Sequence, residues 1–372
     1  MSAIKHRYFT AGPAKIPEDV MIQAQKELLS WRDTGRSVLE MSHRSKDFDE
    51  ILTTTEKNLR ALMKIPDNYT VLFLQGGAQA QFDSVPMNLC SCVEVCDAEY
   101  LVTGIWSSKA SKEAQKYVKV VTRKADTPNY ERLPTEEEMP LCGCACYRYY
   151  CDNETIQGVE FKRVPKTSEN CPLVCDMTSN FLSRPVDVSK FGIIFASAQK
   201  NCGTSGLAIV IVRDDLIGKH MSVTPSTQNY QIMRDNKSNY NTPPVYAIYL
   251  AGLCVKWILD KGGLGAMDKI SCEKSSLLYH TIDESKGFYF CPVEKNSRSR
   301  MNVVFLIGGS KGNAELEKKF LAEAEQAGFH DLKGHRLVGG LRASLYHGVT
   351  LDDVRALIDF MKSFQDRNQV QE

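Results

Sequence analysis

A lysine and an aspartate at the ends of two apolar runs indicate cofactor chemistry. Lys200 lies in Phe195-Ala-Ser-Ala-Gln-Lys-Asn-Cys-Gly-Thr-Ser-Gly206, between the apolar runs 193–195 and 207–212, and Asp176 ends the run Pro172-Leu-Val-Cys-Asp. A lysine at the end of a buried strand is costly unless it is paired or chemically used. In pyridoxal phosphate enzymes a lysine holds the cofactor as a Schiff base, and a carboxylate keeps the pyridine nitrogen protonated. The pair therefore predicts a pyridoxal phosphate site, with a buried ion pair as the alternative.

Three other positions follow strand-like runs and could hold such a cofactor. Gly76-Gly77 lies where a strand ends and a helix begins, and the free N–H groups of that helix could bind a phosphate. The alternative is an ordinary strand-to-helix turn without a ligand. Trp106 could stack on an aromatic ring, but a lone tryptophan more often packs in a core. Thr155 could donate a hydrogen bond to the phenolate oxygen of pyridoxal. Alternatively, its hydroxyl could bond to the nearby backbone in a local turn.

Basic residues form a second group, suited to acidic substrates. In Leu341-Arg-Ala-Ser-Leu-Tyr346, the period of two places Arg342 on the opposite face from its apolar neighbours. An arginine there could clamp a carboxylate with two hydrogen bonds. The pairs His43-Arg44 and His335-Arg336 suggest a dianion such as a substrate phosphate, although each pair alone would be solvated surface.

The cysteines do not have the spacing of a zinc site. There are thirteen, an odd number scattered over the chain, which favours reduced thiols in the cytosol. Cys142-Gly-Cys-Ala-Cys146 lies near Cys151, and Cys90, Cys92 and Cys96 form another cluster. Zinc sites usually repeat a C-x₂₋₄-C pair. We therefore expect no metal and attribute these cysteines to packing.

The composition is that of an ordinary globular protein. The chain has 372 residues, 43% hydrophobic and 24% charged, with a net charge of +1. This charge gives no electrostatic case for nucleic acid or membrane partners. No apolar run approaches the roughly 20 residues that a membrane span needs. No apolar stretch follows the positively charged first residues, so we expect no signal peptide. We expect a cytoplasmic location.

Strand-like and helical segments alternate through the first two thirds of the chain. Strands that are apolar throughout, with helices between them, predict a largely parallel sheet covered on both faces. The predicted strands are residues 71–74, 100–103, 118–122, 146–150, 173–176, 193–196 and 207–212. Amphipathic helices are predicted after Pro17 and over 48–62.

The pattern of predicted helices and strands changes after Lys261-Gly-Gly-Leu-Gly265. Helices are predicted over 267–282, over 313–327 with Asn313 as N-cap, and after a capping box at Thr350 and Asp353. Strands are predicted over 287–291, 302–307 and 341–346. We predict a large cofactor-binding α/β domain over 1–262 and a smaller α+β domain over 263–372. The segment 1–16 is expected to pack near the small domain or the active site.

Several motifs, in order along almost the whole chain, carry a resemblance to a known family. They are Gly12-Pro-Ala, Met41-Ser-His-Arg44, Gly104-Ile-Trp106, Asn153-Glu-Thr-Ile-Gln-Gly-Val-Glu-Phe161, Cys175-Asp-Met-Thr-Ser-Asn180, Ala198-Gln-Lys-Asn201, Asn241-Thr-Pro-Pro244 and Gly334-His-Arg-Leu-Val-Gly-Gly-Leu-Arg-Ala-Ser-Leu-Tyr346. Together they resemble the phosphoserine aminotransferases, a family of class V aminotransferases. The resemblance implies pyridoxal-phosphate-dependent transferase fold type I, which is aspartate-aminotransferase-like, with a mostly parallel seven-stranded sheet. It also implies a homodimer with sites at the interface.

The resemblance also implies a role for each matched residue. Lys200 would bond to the cofactor, Asp176 would pair with its ring nitrogen, Trp106 would stack on the ring and Thr155 would bind its hydroxyl. The cofactor phosphate would be held by Ala78, Gln79, Ser179 and Gln199, and by Asn241 and Thr242 of the other subunit. Arg342 would bind the substrate carboxylate. The substrate phosphate or side-chain carboxylate would be bound by His43, Arg44, His335 and Arg336, some from across the dimer.

The implied reaction moves an amino group from glutamate to 3-phosphohydroxypyruvate, giving O-phosphoserine and 2-oxoglutarate, in serine biosynthesis. Lys200, once displaced, would be the general base. The alternatives are a cysteine desulfurase of the same fold and, from another class, a thiol-rich metal-binding protein. Departures from the family pattern are Ala78-Gln-Ala80 in the glycine loop, Gln157 in place of a common histidine, and Cys202 in place of a small aliphatic residue.

Overall fold

The computed structural model describes residues 4–91, 97–127, 129–141 and 145–369. The strands are β1 (Arg7–Tyr8), β2 (Tyr69–Gln75), β3 (Asp97–Val102), β4 (Lys119–Lys124), β5 (Ala145–Cys151), β6 (Asn153–Glu154), β7 (Val159–Glu160), β8 (Leu173–Asp176), β9 (Ile193–Ser197), β10 (Leu207–Arg213), β11 (Tyr289–Phe290), β12 (Asn302–Ile307), β13 (Phe329–His330) and β14 (Leu341–Ser344). The helices are α1 (Glu18–Lys26), α2 (Lys46–Met63), α3 (Gly77–Leu89), α4 (Ile105–Ala114), α5 (Tyr230–Asp235), α6 (Val245–Asp260), α7 (Gly263–Asp283), α8 (Ala314–Gln326) and α9 (Leu351–Asn368).

The predicted seven-stranded, mostly parallel sheet is confirmed. Its strand order is β2-β10-β9-β8-β5-β3-β4. All neighbouring pairs from β9 to β4 are parallel, whereas β10 runs antiparallel to both β2 and β9. The carboxyl ends of β5, β8 and β9 therefore meet at one edge, where open α/β sheets bind their ligands.

Both faces of this sheet are buried, because its strands are apolar at successive positions. In β2, Val71 and Phe73 pack in one hydrophobic cluster, while Leu72 and Leu74 pack in another on the opposite face. The first cluster includes α2 and α6, and the second includes α3 and α4. The helices thus cover the sheet and leave only its edge for a site.

A third hydrophobic cluster forms around the antiparallel sheet β11-β12-β14 with α7, α8 and α9. The capping box of α9 is present: Thr350 Oγ1 accepts from the Asp353 N–H at 3.1 Å, and Asp353 accepts from the Thr350 N–H at 3.2 Å. Helix α7 starts earlier than the predicted helix 267–282, and it packs in two cores, with Leu264 in the first and Leu278 in the third. The division of the chain at residue 262 stays a prediction.

The N-terminal segment joins the C-terminal part of the chain. Strand β1 pairs in parallel with β13, and the Ala14 N–H donates to the Gln199 carbonyl at 2.8 Å. Residues 9–14 therefore run from the C-terminal strands to the turn that carries Lys200. Within the described ranges, no helix is long and apolar enough to cross a membrane.

Candidate active site

A cavity of about 330 Å³ opens at the carboxyl ends of the central strands. Its size is at the lower end of the range usual for small-molecule sites. The predicted cofactor residues that line it are Ala78, Gln79, Trp106, Thr155, Asp176, Ser179, Gln199 and Lys200. Residues from five separate segments of the chain thus converge on one space.

Lys200 follows β9 and reaches into the cavity beneath the N-terminal segment. Its Nζ donates a hydrogen bond to the Ala11 carbonyl. Gly12 has φ of +138°, which favours glycine, and a β-carbon there would lie 2.0 Å from that Nζ and displace the lysine. Burial, together with the positive charge of Arg342, lowers the pKa of Lys200 to about 8, while Asp176 opposes the shift. The amine is therefore easier to deprotonate than an ordinary lysine.

Asp176 is the last residue of β8, the parallel neighbour of β9. It is 3% exposed, and its Oδ1 accepts a hydrogen bond from the Thr178 N–H at 2.8 Å. Burial raises the pKa of this carboxyl to about 6, against the hydrogen bonds from Thr178 and the charge of Lys200. At neutral pH the group is mostly ionised and can face a protonated ring nitrogen.

The glycine turn that lines the cavity is suited to an anion. Gly76 and Gly77 have φ of +93° and +64°, which lets the chain turn from β2 directly into α3. The N–H groups at the start of α3 are free of helical partners, and this end of a helix favours negative charge. A β-carbon on Gly77 would lie 2.8 Å from Ser197 Oγ, so the second glycine also keeps the loop close to β9.

Trp106 is fixed by a buried carboxylate that the sequence did not single out. Glu154 accepts from the Trp106 N–H at 3.0 Å, from the Ser107 N–H at 2.8 Å and from Ser107 Oγ at 2.6 Å. Gln157, the departure from the family pattern, accepts from the Ile105 N–H at 3.2 Å. Burial raises the pKa of Glu154 to about 7, and these donors oppose the shift. Together, Glu154 and Gln157 cap the N-terminus of α4.

Basic side chains gather beside the cavity without acidic partners. Arg342 Nη1 donates to the Thr155 carbonyl at 3.5 Å, and burial lowers the pKa of Arg342. The pKa of His335 is lowered by burial and then by the charges of Arg342, Arg336 and Lys109. In the described part of the chain, none of these four side chains forms an ion pair, and Lys109 Nζ lies 4.7 Å from the Trp106 ring centroid. Such a cluster favours an anionic ligand.

Comparison with known proteins identifies the family. The sequence profile described as "Aminotransferase class-V" matches residues 7–357. The chain belongs to the class V aminotransferases. Among its relatives in this family, the phosphoserine aminotransferase of Drosophila melanogaster is 50% identical over 361 residues, which cover 97% of this chain and 99% of the relative. The probable phosphoserine aminotransferase of Caenorhabditis elegans is 48% identical and covers 96% of both chains.

Solved structures of this class V family share the fold. Phosphoserine aminotransferase from Bacillus circulans subsp. alkalophilus superposes with a TM-score of 0.94 at 41% identity, covering 98% of this chain and 99% of that one. The pyridoxal-phosphate-bound enzyme from Trichomonas vaginalis gives 0.90 at 40% identity, covering 96% and 100%. An aspartate aminotransferase from Thermus thermophilus gives 0.77 at 15% identity, which relates the fold alone. The chain has transferase fold type I, as predicted.

Four of the residues predicted from the family lie away from the cavity in a single chain. The Thr242 carbonyl accepts from Gln75 Nε2 at 2.5 Å, and Asn241 lines a separate small cavity beside β2. The His43 carbonyl accepts from Asn239 Nδ2 at 2.8 Å, and Arg44 follows it in the same loop. Asn241 and Thr242 were expected to act on the other subunit of a dimer, so their roles stay predictions.

The thiols in the described part of the chain give no support to the alternative functions. Within the described ranges, no group of three or more histidine, cysteine, aspartate or glutamate side chains could hold a metal ion. Cys92, Cys96, Cys142 and Cys144 lie outside the described residues. Cys151 does line the cavity, but burial raises its pKa well above the usual value, which disfavours the thiolate that a desulfurase needs.

Proposed function

We propose that the protein is a phosphoserine aminotransferase that uses pyridoxal 5′-phosphate. It would transfer the amino group of L-glutamate to 3-phosphohydroxypyruvate, reversibly, giving O-phospho-L-serine and 2-oxoglutarate in serine biosynthesis. The observation that carries this proposal is the placement of Lys200 and Asp176 at the ends of adjacent parallel strands, facing one cavity. The 50% identity with the fruit fly enzyme over nearly the whole chain supports the choice of substrate.

The donor set of the cavity fits pyridoxal phosphate. Its lining includes a primary amine, a buried carboxylate, a flat indole and a helix N-terminus. When bound, the cofactor supplies an electron sink for the substrate α-carbon. Lys200 would hold it covalently, Asp176 would keep its ring nitrogen protonated, and Trp106 would pack on the ring. Thr155 would bind the ring hydroxyl, and the start of α3 with Ser179 and Gln199 would bind the phosphate.

The chain's own residues would then bind the substrate and move a proton. Arg342 is placed to clamp the α-carboxylate. The charge of Arg336, with the His335 imidazole as a neutral hydrogen-bond donor, would attract a phosphate or a side-chain carboxylate. The Lys200 amine would take the proton from the substrate α-carbon as the general base. The lowered pKa of Lys200 favours its neutral, basic form.

The proposal includes a homodimer and a cytoplasmic location. In the dimer, Asn241 and Thr242 would reach the cofactor phosphate of the partner, and some of the residues His43, Arg44, His335 and Arg336 would complete the partner's substrate site. Sedimentation of the purified protein tests the dimer. A monomer with full activity would contradict the shared site.

The function is tested by the absorbance spectrum of the cofactor-loaded protein with O-phosphoserine. We expect the band of the lysine-bound cofactor to be lost as the amino group moves to the cofactor and 3-phosphohydroxypyruvate is released. Addition of 2-oxoglutarate should restore the band and yield glutamate. L-serine is the control and should act far more weakly. A spectrum unchanged by O-phosphoserine but changed by another amino acid would keep the cofactor and overturn the substrate, whereas sulfide release from free cysteine would favour a desulfurase.

A further inference from the structure

A group of neutral, buried side chains connects the cavity wall to strand β14. We call it the polar bridge, and its members are Asn153, Ser179, Ser299, Asn302, Ser344 and Tyr346. Each is at most 3% exposed, and every side-chain polar atom in it has a hydrogen-bond partner. Buried polar groups are costly unless all of them are satisfied, and a satisfied network fixes one arrangement of its members.

On the cavity side, the polar bridge is anchored by Asn153, which lines the cavity. Its Nδ2 donates to Ser179 Oγ at 2.7 Å and to Asn302 Oδ1 at 2.8 Å. Ser179 Oγ donates back to the Asn153 carbonyl at 2.5 Å, and Ser299 Oγ donates to Asn153 Oδ1 at 2.5 Å. The proposed phosphate ligand Ser179 and the amide of Asn302 are thus held by one side chain.

On the other side, Asn302 Nδ2 donates to Ser344 Oγ at 3.0 Å and to the Tyr346 hydroxyl at 3.2 Å. Asn302 pairs with Ser344 in the β12–β14 ladder, and Arg342 pairs with Val304 in the same ladder. The Tyr346 hydroxyl donates to the Ala11 carbonyl at 3.4 Å, the same carbonyl that accepts from Lys200 Nζ. The bridge therefore ends at Ser344 and Tyr346, both of which follow Arg342 in the chain, and Tyr346 shares the Ala11 carbonyl with Lys200.

Strand pairing does not need an amide at residue 302, because the ladder is made by the backbone. An apolar residue of similar size would fill the same space without burying an amide that needs hydrogen-bond partners. The Asn302 amide, in contrast, accepts from Asn153 and donates to Ser344 and Tyr346. These bonds fix the distance and orientation between the cavity wall and strand β14.

We propose that Asn302 is a positioning residue. It sets strand β14, and with it the Arg342 guanidinium, relative to the cofactor side of the cavity. This inference rests on the proposed function, in which Arg342 binds the substrate carboxylate.

The test compares Asn302→Leu with Asn88→Leu. Asn88 is a matched control: it is 3% exposed, its Nδ2 donates to the Ser84 and Gln228 carbonyls at 2.8 Å each, and it lies at the far end of α3 from the cavity. Both variants should lower the melting temperature. Only Asn302→Leu should raise the KM for O-phosphoserine and for glutamate, by about tenfold, with kcat within about threefold, because a misplaced anchor loses binding in the ground state.

A second variant keeps the inference testable if Asn302→Leu folds poorly, and a double mutant tests whether Asn302 acts through Arg342. Ser344→Ala removes only one acceptor and should raise the same KM values by about threefold. In an Arg342→Met background, Asn302→Leu should add little, because a residue that acts through Arg342 has no effect once Arg342 is gone.

Binding of glutarate to the cofactor-loaded protein, followed by absorbance, needs no turnover. It should weaken in parallel with the KM values. Unchanged KM values in both Asn302→Leu and Ser344→Ala, an equal rise in Asn88→Leu, or full additivity with Arg342→Met would overturn the inference. If the wild-type protein does not turn over O-phosphoserine, the proposed substrate is wrong. Glutarate affinity then decides whether Asn302 positions the acid-binding arginine.

Discussion

Lys200 and Lys274 have different surroundings, and the difference separates the proposed cofactor lysine from a structural one. Burial lowers the pKa of both, of Lys200 to about 8 and of Lys274 to about 7. Lys274 Nζ uses all three of its donors, on the carbonyls of Leu345 at 2.7 Å, Tyr346 at 2.9 Å and Val349 at 2.9 Å. Lys200 Nζ donates to a single carbonyl and faces a cavity.

A lowered pKa alone therefore does not mark a catalytic lysine. Lys274 is not among the residues lining the Lys200 cavity, and its amine is enclosed by backbone oxygens of the segment between β14 and α9. Lys200 has spare donors and open space, which a covalent partner can use. Accessibility and unused hydrogen-bonding capacity distinguish the two sites.

The largest expected effect is the loss of chemistry in Lys200→Ala. Without the amine, the proposed base for the α-proton is lost, and transamination of O-phosphoserine should fall by at least about a thousandfold. A coupled assay for 3-phosphohydroxypyruvate measures the loss, and a melting curve close to that of the wild type is the control. Turnover near the wild-type rate would end the role given to Lys200.

A smaller loss is expected for Asp176→Asn. Asparagine keeps an oxygen for the Thr178 N–H but cannot stabilise a protonated ring nitrogen. The protein should still bind one cofactor per chain, while the half-reaction with O-phosphoserine slows by about a hundredfold or more.

Stopped-flow absorbance measures that rate. Asp152→Asn is a useful control, because Asp152 is equally buried but pairs with Arg184 at 2.6 Å and is not among the residues lining the cavity. It should lose stability and keep its half-reaction. If both variants slow the half-reaction equally, the ring-nitrogen role of Asp176 is refuted.

Lys274→Met should reverse the pattern seen with Lys200. Three buried carbonyls lose their donor, so the free energy of unfolding should fall by about 2–4 kcal/mol. The kcat of the folded protein should stay within about twofold of wild type. Chemical denaturation and steady-state kinetics measure the two quantities, and a stable but inactive variant would show that the comparison between the lysines is wrong.

The smallest effect is a shift in a pH profile. The neutral amine is the nucleophile, so the rate at which cofactor-free protein bonds pyridoxal phosphate should rise with pH and level off above about 8, the pKa of Lys200. Because the charge of Arg342 lowers this pKa, Arg342→Met should move the midpoint upward.

Borohydride reduction followed by peptide mapping should place the label on Lys200 and not on Lys274. A midpoint near the ordinary lysine value of about 10.4 would contradict the lowered pKa.

The sequence predicts those elements and motifs that are determined by residues close together in the chain. Strand β8 with its terminal Asp176, strand β12 and the Asn313 cap follow from local apolar runs and end signals, and their bounds agree with the structure. The motif around Lys200 is also local. The reversed direction of β10 could not be predicted, because an apolar run carries no sign of strand direction.

The missed residues depend on partners distant in the sequence. Glu154 looks like a loop acid until α4 is placed against it, and Lys274 looks like a helix surface lysine until the turn after β14 surrounds it. The Asn153–Asn302 contact joins residues 149 positions apart. Asn241 and Thr242 have predicted roles that require a second chain, which no single-chain geometry can supply.

The N-terminal segment has a practical consequence for protein engineering. Its backbone covers Lys200. The Ala11 carbonyl accepts a hydrogen bond from Lys200 Nζ, and Gly12, which has no side chain, leaves room for the amine. The pairing of β1 with β13 anchors the segment to the C-terminal part of the chain. Removing the first ten residues, or fusing a bulky affinity tag close to Arg7, would therefore alter the cavity around Lys200 itself. In variant libraries for bulkier amino donors, residues 9–14 belong with the active-site positions, although they lie almost 190 residues from the lysine in the sequence.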